Sequence, residues 1–201
     1  MESFSLPGVP GKFSWHIAPA SWRIDSNQSL IVRSGPKNDY FNDPASTSKV
    51  ASAPSALMAT SEPTFVLGAH VSLAGQTTFD AGLIFVRTGE DQWAKLCVEL
   101  SPAGVPTIVS VVTRGVSDDC NSAVLATPNA YLRVAKTLRT FAFHYSIDGR
   151  YWHLVRYFSL GEPPQIQIGW VAQSPMGRDC EVTFSQFFYS TGELADLRDG
   201  R

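Results

Sequence analysis

Between residues 29 and 190 the chain repeats one pattern, a run of alternating or β-branched apolar side chains closed by Gly, Pro, Asn or Asp. The runs SLIVRS (29–34), TFVLGAHVSL (64–73), AGLIFVRT (81–88), WAKLCVEL (93–100) and PTIVSVVTRG (106–115) fill the first half. AYLRVAKT (130–137), TFAFHYSI (140–147), YWHLVRYF (151–158), QIQIGWVAQ (165–173) and EVTFSQFFYS (181–190) fill the second. A period of two belongs to extended chain, whose side chains point to opposite faces in turn. Only short stretches near 48–59 and 191–198 read as helical. Strands at such regular spacing predict an all-β fold, a two-sheet antiparallel sandwich. With 201 residues, 44% of them hydrophobic, the chain can bury one sizeable core. Residues 1–201 therefore read as a single domain, with 1–14 and 192–201 as loose ends.

Charge and cysteine content exclude several classes of function. Lys and Arg number 16 against 18 Asp and Glu, with no basic run, so no nucleic-acid partner is expected. The opening MESFSLPGVP lacks the basic residue and apolar run of a signal peptide. No apolar stretch approaches the ~20 residues of a spanning helix, so the expectation is a cytoplasmic protein without a membrane partner. Cys97, Cys120 and Cys180 are odd in number and widely spaced, which fits buried thiols better than disulfides or zinc. Phosphate-binding and nucleophile-elbow motifs are missing, and no cofactor is expected.

One strand carries the functional signal. In DQWAKLCVEL (91–100), Ala94, Leu96, Val98 and Leu100 form a greasy face, while Trp93, Lys95, Cys97 and Glu99 share the other. A short turn at 89–91 sets Arg87 opposite Trp93, Leu83 opposite Cys97 and Ala81 opposite Glu99. The return strand sets Thr107, Val109, Val111 and Thr113 across from Glu99, Cys97, Lys95 and Trp93. A polar face holding Trp93, Lys95, Glu99, Arg87 and Thr113 suits a hydroxyl-rich ligand. Indole stacks on the apolar side of a sugar ring, and charged groups hydrogen-bond its hydroxyls. Phe41 is placed to flank a cleft, and Arg156 to fix a carboxylate such as Glu99 or Asp118. Beyond this face, a two-residue turn at Asp148-Gly149 pairs Tyr145 with Trp152. Phe141, Phe143, Trp170 and Phe184 read as core.

The sequence resembles the regulation-of-enolase family of concanavalin A-like lectin/glucanase-fold proteins. The likeness runs over roughly residues 15–190 and rests on AGLIFVRTGEDQWAKLCVEL, PTIVSVVTRGVSD, FHYSIDGRYWHLVRYF and GWVAQSPMG. It implies a jelly-roll sandwich, with a sugar as the first ligand to consider. It departs where the family usually places an aromatic residue after Ser-Asp, since Asp119 and Cys120 follow Ser117-Asp118 here.

Three functions follow as expectations. The first is a non-catalytic module binding a carbohydrate or sugar phosphate on the concave sheet face, in a regulatory or accessory role. The second is a glycoside-active enzyme using Glu99. Its own strand supplies no second acid, so Asp39, Asp43, Asp80, Asp118 or Asp119 would have to be brought in by folding. The third is an interaction scaffold for a metabolic enzyme. The oxygen donors of NDYFNDP (38–44) raise the question of calcium at Asp39–Asp43, but the spacing lacks the alternating acidic ladder, and no metal site is assigned.

Overall fold

The computed structural model describes residues 3–201. In chain order its strands begin with β1 (Ser3–Ser5), β2 (Lys12–Ile17), β3 (Ser21–Ile24), β4 (Leu30–Arg33), β5 (Tyr40–Asn42) and β6 (Lys49–Ala51). They continue with β7 (Ser55–Thr60), β8 (Phe65–Ala74), β9 (Ala81–Gly89), β10 (Gln92–Leu100), β11 (Pro106–Arg114) and β12 (Val116–Val124). The last are β13 (Asn129–Lys136), β14 (Phe141–Ser146), β15 (His153–Phe158), β16 (Ile166–Gln173) and β17 (Glu181–Thr191). They build an eight-stranded sheet in the order β1-β2-β7-β16-β9-β10-β11-β12 and a seven-stranded sheet in the order β15-β14-β13-β8-β17-β4-β3. Strands β5 and β6 form a separate two-stranded ribbon. The fold is thus an all-β sandwich of two antiparallel sheets. The helical readings at 48–59 and 191–198 do not survive: the first is β6 and β7, and the second packs as irregular chain.

Alternation along each strand decides which side chains meet between the sheets. Ala94, Leu96 and Val98 of β10 join Ile84, Val86 and Trp170 from the larger sheet. Leu67, Val71, Leu132, Phe143 and Phe184 come from the smaller one. Trp170 packs on Phe184 with ring centroids 5.4 Å apart. Each fully buried side chain of this size contributes about 1.5–3 kcal/mol, so this interleaved layer is the main source of stability. Gly82 of β9 matters here, because a Cβ at that position would lie 2.3 Å from Val182 and 2.8 Å from Val71 of the facing sheet.

Both outer faces are covered rather than bare. On the larger sheet, Leu83, Phe85, Trp93, Cys97, Val109 and Val111 form a second apolar layer. Residues 36–54, including β5 and β6, close over it, and the Tyr40 ring lies 4.6 Å from Phe85 and 5.7 Å from Trp93. A two-stranded ribbon is marginal alone, and this one is pinned by side-chain bonds. The Asn42 backbone N–H donates to Ser117 Oγ at 2.9 Å, and Asn42 Nδ2 donates to the Gly115 carbonyl at 2.9 Å. On the smaller sheet the cover is the C-terminal chain. Leu194 and Leu197 pack with Val66, Ala135 and Ala142, while the Trp152 N–H donates to the Gly200 carbonyl at 2.8 Å.

The described residues near both ends make contacts. Residues 3–5 and 12–14 pair at one edge of the larger sheet, and 193–201 cross the smaller one. No helix among the described residues is long and apolar enough to cross a membrane.

Candidate functional site

The registers expected around β10 are those observed. Trp93, Lys95, Cys97 and Glu99 pair with Thr113, Val111, Val109 and Thr107 on one side. Arg87, Phe85, Leu83 and Ala81 pair with them on the other. The β9–β10 turn is tighter than the three-residue loop read from the sequence: Gly89 pairs with Gln92, and a bulge between Gln92 and Trp93 restores the register.

What covers the polar face was not legible. Trp93 is 1% exposed, sealed beneath Tyr40, and is an element of packing rather than a stacking platform. Lys95 is 2% and Glu99 8% exposed, so the open trough expected from the sequence is a closed-over recess. These two line a cavity of about 150 Å³ with Asp39, Phe41, Phe79, Val109, Val111, Asp119 and Gln173. Asp39 and Phe41 belong to the covering segment, Asp119 to the edge strand β12, and Gln173 to β16.

The charges inside are unequally served. Lys95 Nζ donates to Asp39 Oδ1 at 3.1 Å and to Gln173 Oε1 at 3.0 Å. Burial disfavours the ammonium, but the Asp39 carboxylate, with Glu99 further off, outweighs this and holds Lys95 above its usual value. Glu99 has neither a hydrogen-bond donor nor a cation in ion-pair contact among the described residues. Burial pushes its carboxyl up to about 7; Lys95 opposes the rise, while Asp39 and Asp119 add to it. Between them on the same face, burial raises the Cys97 thiol, so it is a packed neutral group and not a nucleophile.

At the mouth stands Phe79. It is 38% exposed and has φ 69°, a left-handed conformation that a bulky side chain rarely adopts. Its turn is held by Asp80, whose Oδ2 accepts the Gln76 and Thr77 backbone N–H groups at 2.9 Å and whose Oδ1 accepts Ser174 Oγ at 2.6 Å. Sequence reading missed Phe79 and Gln173, and no pattern signals them. Asp39 and Asp119 enter the sequence reading as acids that folding would have to bring in, Asp39 also as a calcium donor, and both line the cavity with Glu99.

The remaining candidates lie elsewhere. Arg87 does not reach Glu99; its Nη1 lies 2.6 Å from His16 Nε2 in a separate recess with Tyr40, Asn42 and Lys49. Thr113 Oγ1 shares a 2.8 Å hydrogen bond with Ser117 Oγ and so supports the anchor of the covering segment. Asp118 and Arg156 do pair, at 2.8 Å, but they join β12 to β15 at the edges of the two sheets, away from the cavity. Arg156 therefore serves Asp118 and not Glu99. Phe41 lines the cavity beside Asp39 and Phe79.

The oxygen donors of 38–44 diverge. Asn38 Oδ1 accepts the Ser174 N–H, Asp39 Oδ1 accepts Lys95 Nζ, and Asp43 accepts the Ala45 N–H and the Ser46 hydroxyl. They do not converge on a point, and no cluster of three potential metal-ligating His, Cys, Asp or Glu side chains occurs among the described residues.

Residues 15–191 match the family model described as protein of unknown function (DUF1349), and the chain belongs to that family. A crystal structure of a functionally unknown protein from Saccharomyces cerevisiae aligns with TM-score 0.83 at 23% identity, covering 90% of this chain and 97% of that one. The GH43 BlXynB protein from Bacillus licheniformis aligns with TM-score 0.70 at 14% identity, over 90% of this chain but 36% of that one. An alginate lyase from Klebsiella pneumoniae aligns with TM-score 0.54 at 12% identity, over 85% and 84% of the two chains. These likenesses establish the concanavalin A-like sandwich. No curated protein matches the sequence.

Proposed function

We propose that the protein is a carbohydrate-binding module with an accessory or regulatory role, and that its ligand enters the recess floored by Lys95 and Glu99. One observation carries the reading: Glu99 is a buried carboxylate that opens onto a cavity and has no donor among the described residues. A donor for that carboxylate has to come from solvent or from a ligand in the cavity, and sugar hydroxyls are donors of the right kind. Phe41 and Phe79 at the rim supply apolar faces for a sugar ring. The same fold serves an alginate lyase and part of a GH43 glycoside hydrolase. The regulatory part rests on the resemblance of the sequence motifs to the regulation-of-enolase family. Calorimetry of the protein against a panel of mono- and disaccharides tests the reading. Binding that Phe79→Ala weakens at least tenfold supports it, and absence of heat from every sugar at millimolar concentration overturns it.

A second reading has its own support. A carboxyl raised to about 7 beside the carboxylates Asp39 and Asp119 has the electrostatic form of a general acid with an ionised partner. Hydrolysis of aryl glycosides that Glu99→Gln abolishes would establish glycosidase activity. The binding reading expects no turnover from either protein.

A further inference from the structure

The recess holds three carboxylates, Asp39, Glu99 and Asp119, against one ammonium, Lys95. That ammonium already serves Asp39 and Gln173. Among the described residues no other Lys, Arg or His lines the cavity. Arg87 and Arg156 are engaged outside it, Arg87 with His16 and Arg156 with Asp118. Glu99, nine-tenths buried, looks into the space without a partner of its own. What is lacking is positive charge.

We propose that this recess selects a sugar carrying a free, protonated amine and excludes sugar phosphates and uronates. The inference rests on the carbohydrate reading above and narrows its ligand class. An ammonium group seated against Glu99 gives the buried carboxylate both the donor and the counter-charge it lacks. The rings of Phe41 and Phe79 at the rim attract a cation as well as stacking on a sugar. An acylated amine keeps a donor but loses the charge. A phosphate or carboxylate on the ligand instead meets Glu99 and Asp119 with like charge. The cavity volume of about 150 Å³ corresponds to roughly five waters at ~30 Å³ each, below the ~300 Å³ of pockets that enclose larger ligands, so one ring or a chain end is the unit recognised.

Protonation should gate this preference. The titratable groups facing Glu99 are Lys95 and Cys97 from β10, Asp39 from the covering segment and Asp119 from β12. Lys95 and Cys97 are both held above their usual values. Glu99, raised to about 7, gains its charge as pH climbs towards neutrality. Affinity for an amine should therefore rise about tenfold between roughly pH 5.5 and 7, where the sugar amine stays protonated.

The test is calorimetry of the full chain with glucosamine, galactosamine and mannosamine, each beside its parent hexose, its N-acetyl derivative and its 6-phosphate. The expected result is at least one amino sugar binding tenfold or more tighter than its neutral counterparts, with no binding of phosphates. Glu99→Gln should abolish that margin, and Asp119→Asn, at an exposed position, should reduce it severalfold. Equal affinity for amine and parent hexose, or tighter binding of a phosphate, overturns the inference while leaving the carbohydrate reading intact. Absence of binding by every sugar overturns the reading itself.

Discussion

The two outer faces of the sandwich use the same device to different ends. Each sheet is roofed by a segment outside its own strands, and under each roof lies a buried cation. Beneath residues 36–54, Lys95 meets the carboxylate of Asp39 beside a cavity. Beneath residues 193–201, Arg133 is 5% exposed and has neutral partners: its guanidinium lies 4.3 Å over the Trp152 ring, and Nη2 donates to the Arg201 carbonyl at 3.0 Å. Burial pulls Arg133 down to about 10, and Asp199 only partly offsets it. A buried charge by itself therefore does not mark a site. The larger sheet differs in having an unserved carboxylate facing space.

The sharpest test of this contrast is truncation of each cation. Lys95→Ala removes the ion-pair partner of the part-buried Asp39 and the only cation near Glu99 among the described residues, and should cost about 3 kcal/mol in urea unfolding at pH 7.5. Arg133→Ala loses packing, one hydrogen bond and a cation–π contact, and should cost about 2 kcal/mol. Equal losses would erase the distinction drawn between the faces.

The faces should also respond oppositely to pH. Folding raises Glu99 from 4.5 to about 7. The folded state thus holds that proton more tightly, and this contribution to stability is complete below about pH 4.5 and lost as pH rises through about 7. Glu99→Gln should remove the loss, raising stability at pH 8 by up to about 3 kcal/mol and changing little at pH 4. His144 goes the other way. Burial, with Arg133 adding to it, lowers His144 from 6.5 to about 4, and its Nε2 lies 2.9 Å from the Leu197 carbonyl. Its contribution is complete above about pH 6.5 and disappears as pH falls towards 4, so His144→Phe should flatten the acid limb by roughly 2–3 kcal/mol. Stability curves of both variants from pH 4 to 8 check both signs.

Removing residues 193–201 should cost about 2 kcal/mol through Leu194 and Leu197 and leave sugar binding unchanged. Altered binding would mean that the two roofs communicate. The smallest effect is expected at Phe79. Phe79→Asn relieves a left-handed φ and should gain about 0.5–1 kcal/mol in thermal unfolding while weakening the ligand.

How far the sequence revealed this depends on the range of the interactions. The register of β9, β10 and β11 follows from strict alternation, since a slip of one residue would turn Leu96 and Val98 outward. The β14–β15 hairpin was misread because its turn is organised by a side chain. Asp148 Oδ1 accepts the Arg150 and Tyr151 N–H groups and the Ser146 hydroxyl, with Gly149 at φ 72°. This lengthens the turn, so Tyr145 pairs with His153, and Trp152 bonds to Gly200 instead. The roof over β10 was invisible for a related reason. It depends on Asn42 finding Ser117 and Asp39 finding Lys95, pairs 75 and 56 residues apart that no local pattern announces. The composition of the polar face was therefore readable, but not its enclosure.

That enclosure gives the molecule a natural timer. Cys97 sits between Lys95 and Glu99, wholly out of solvent, whereas Cys120 on the edge strand is exposed. A thiol-reactive dye thus meets Cys120 at once and Cys97 only when the β5–β6 ribbon lifts, with the buried Cys180 as a second hidden thiol outside the ribbon's cover. Peptide mapping of dye uptake at Cys97 would clock that lifting in the unmodified chain, and an occupant seated beneath the ribbon should slow the clock.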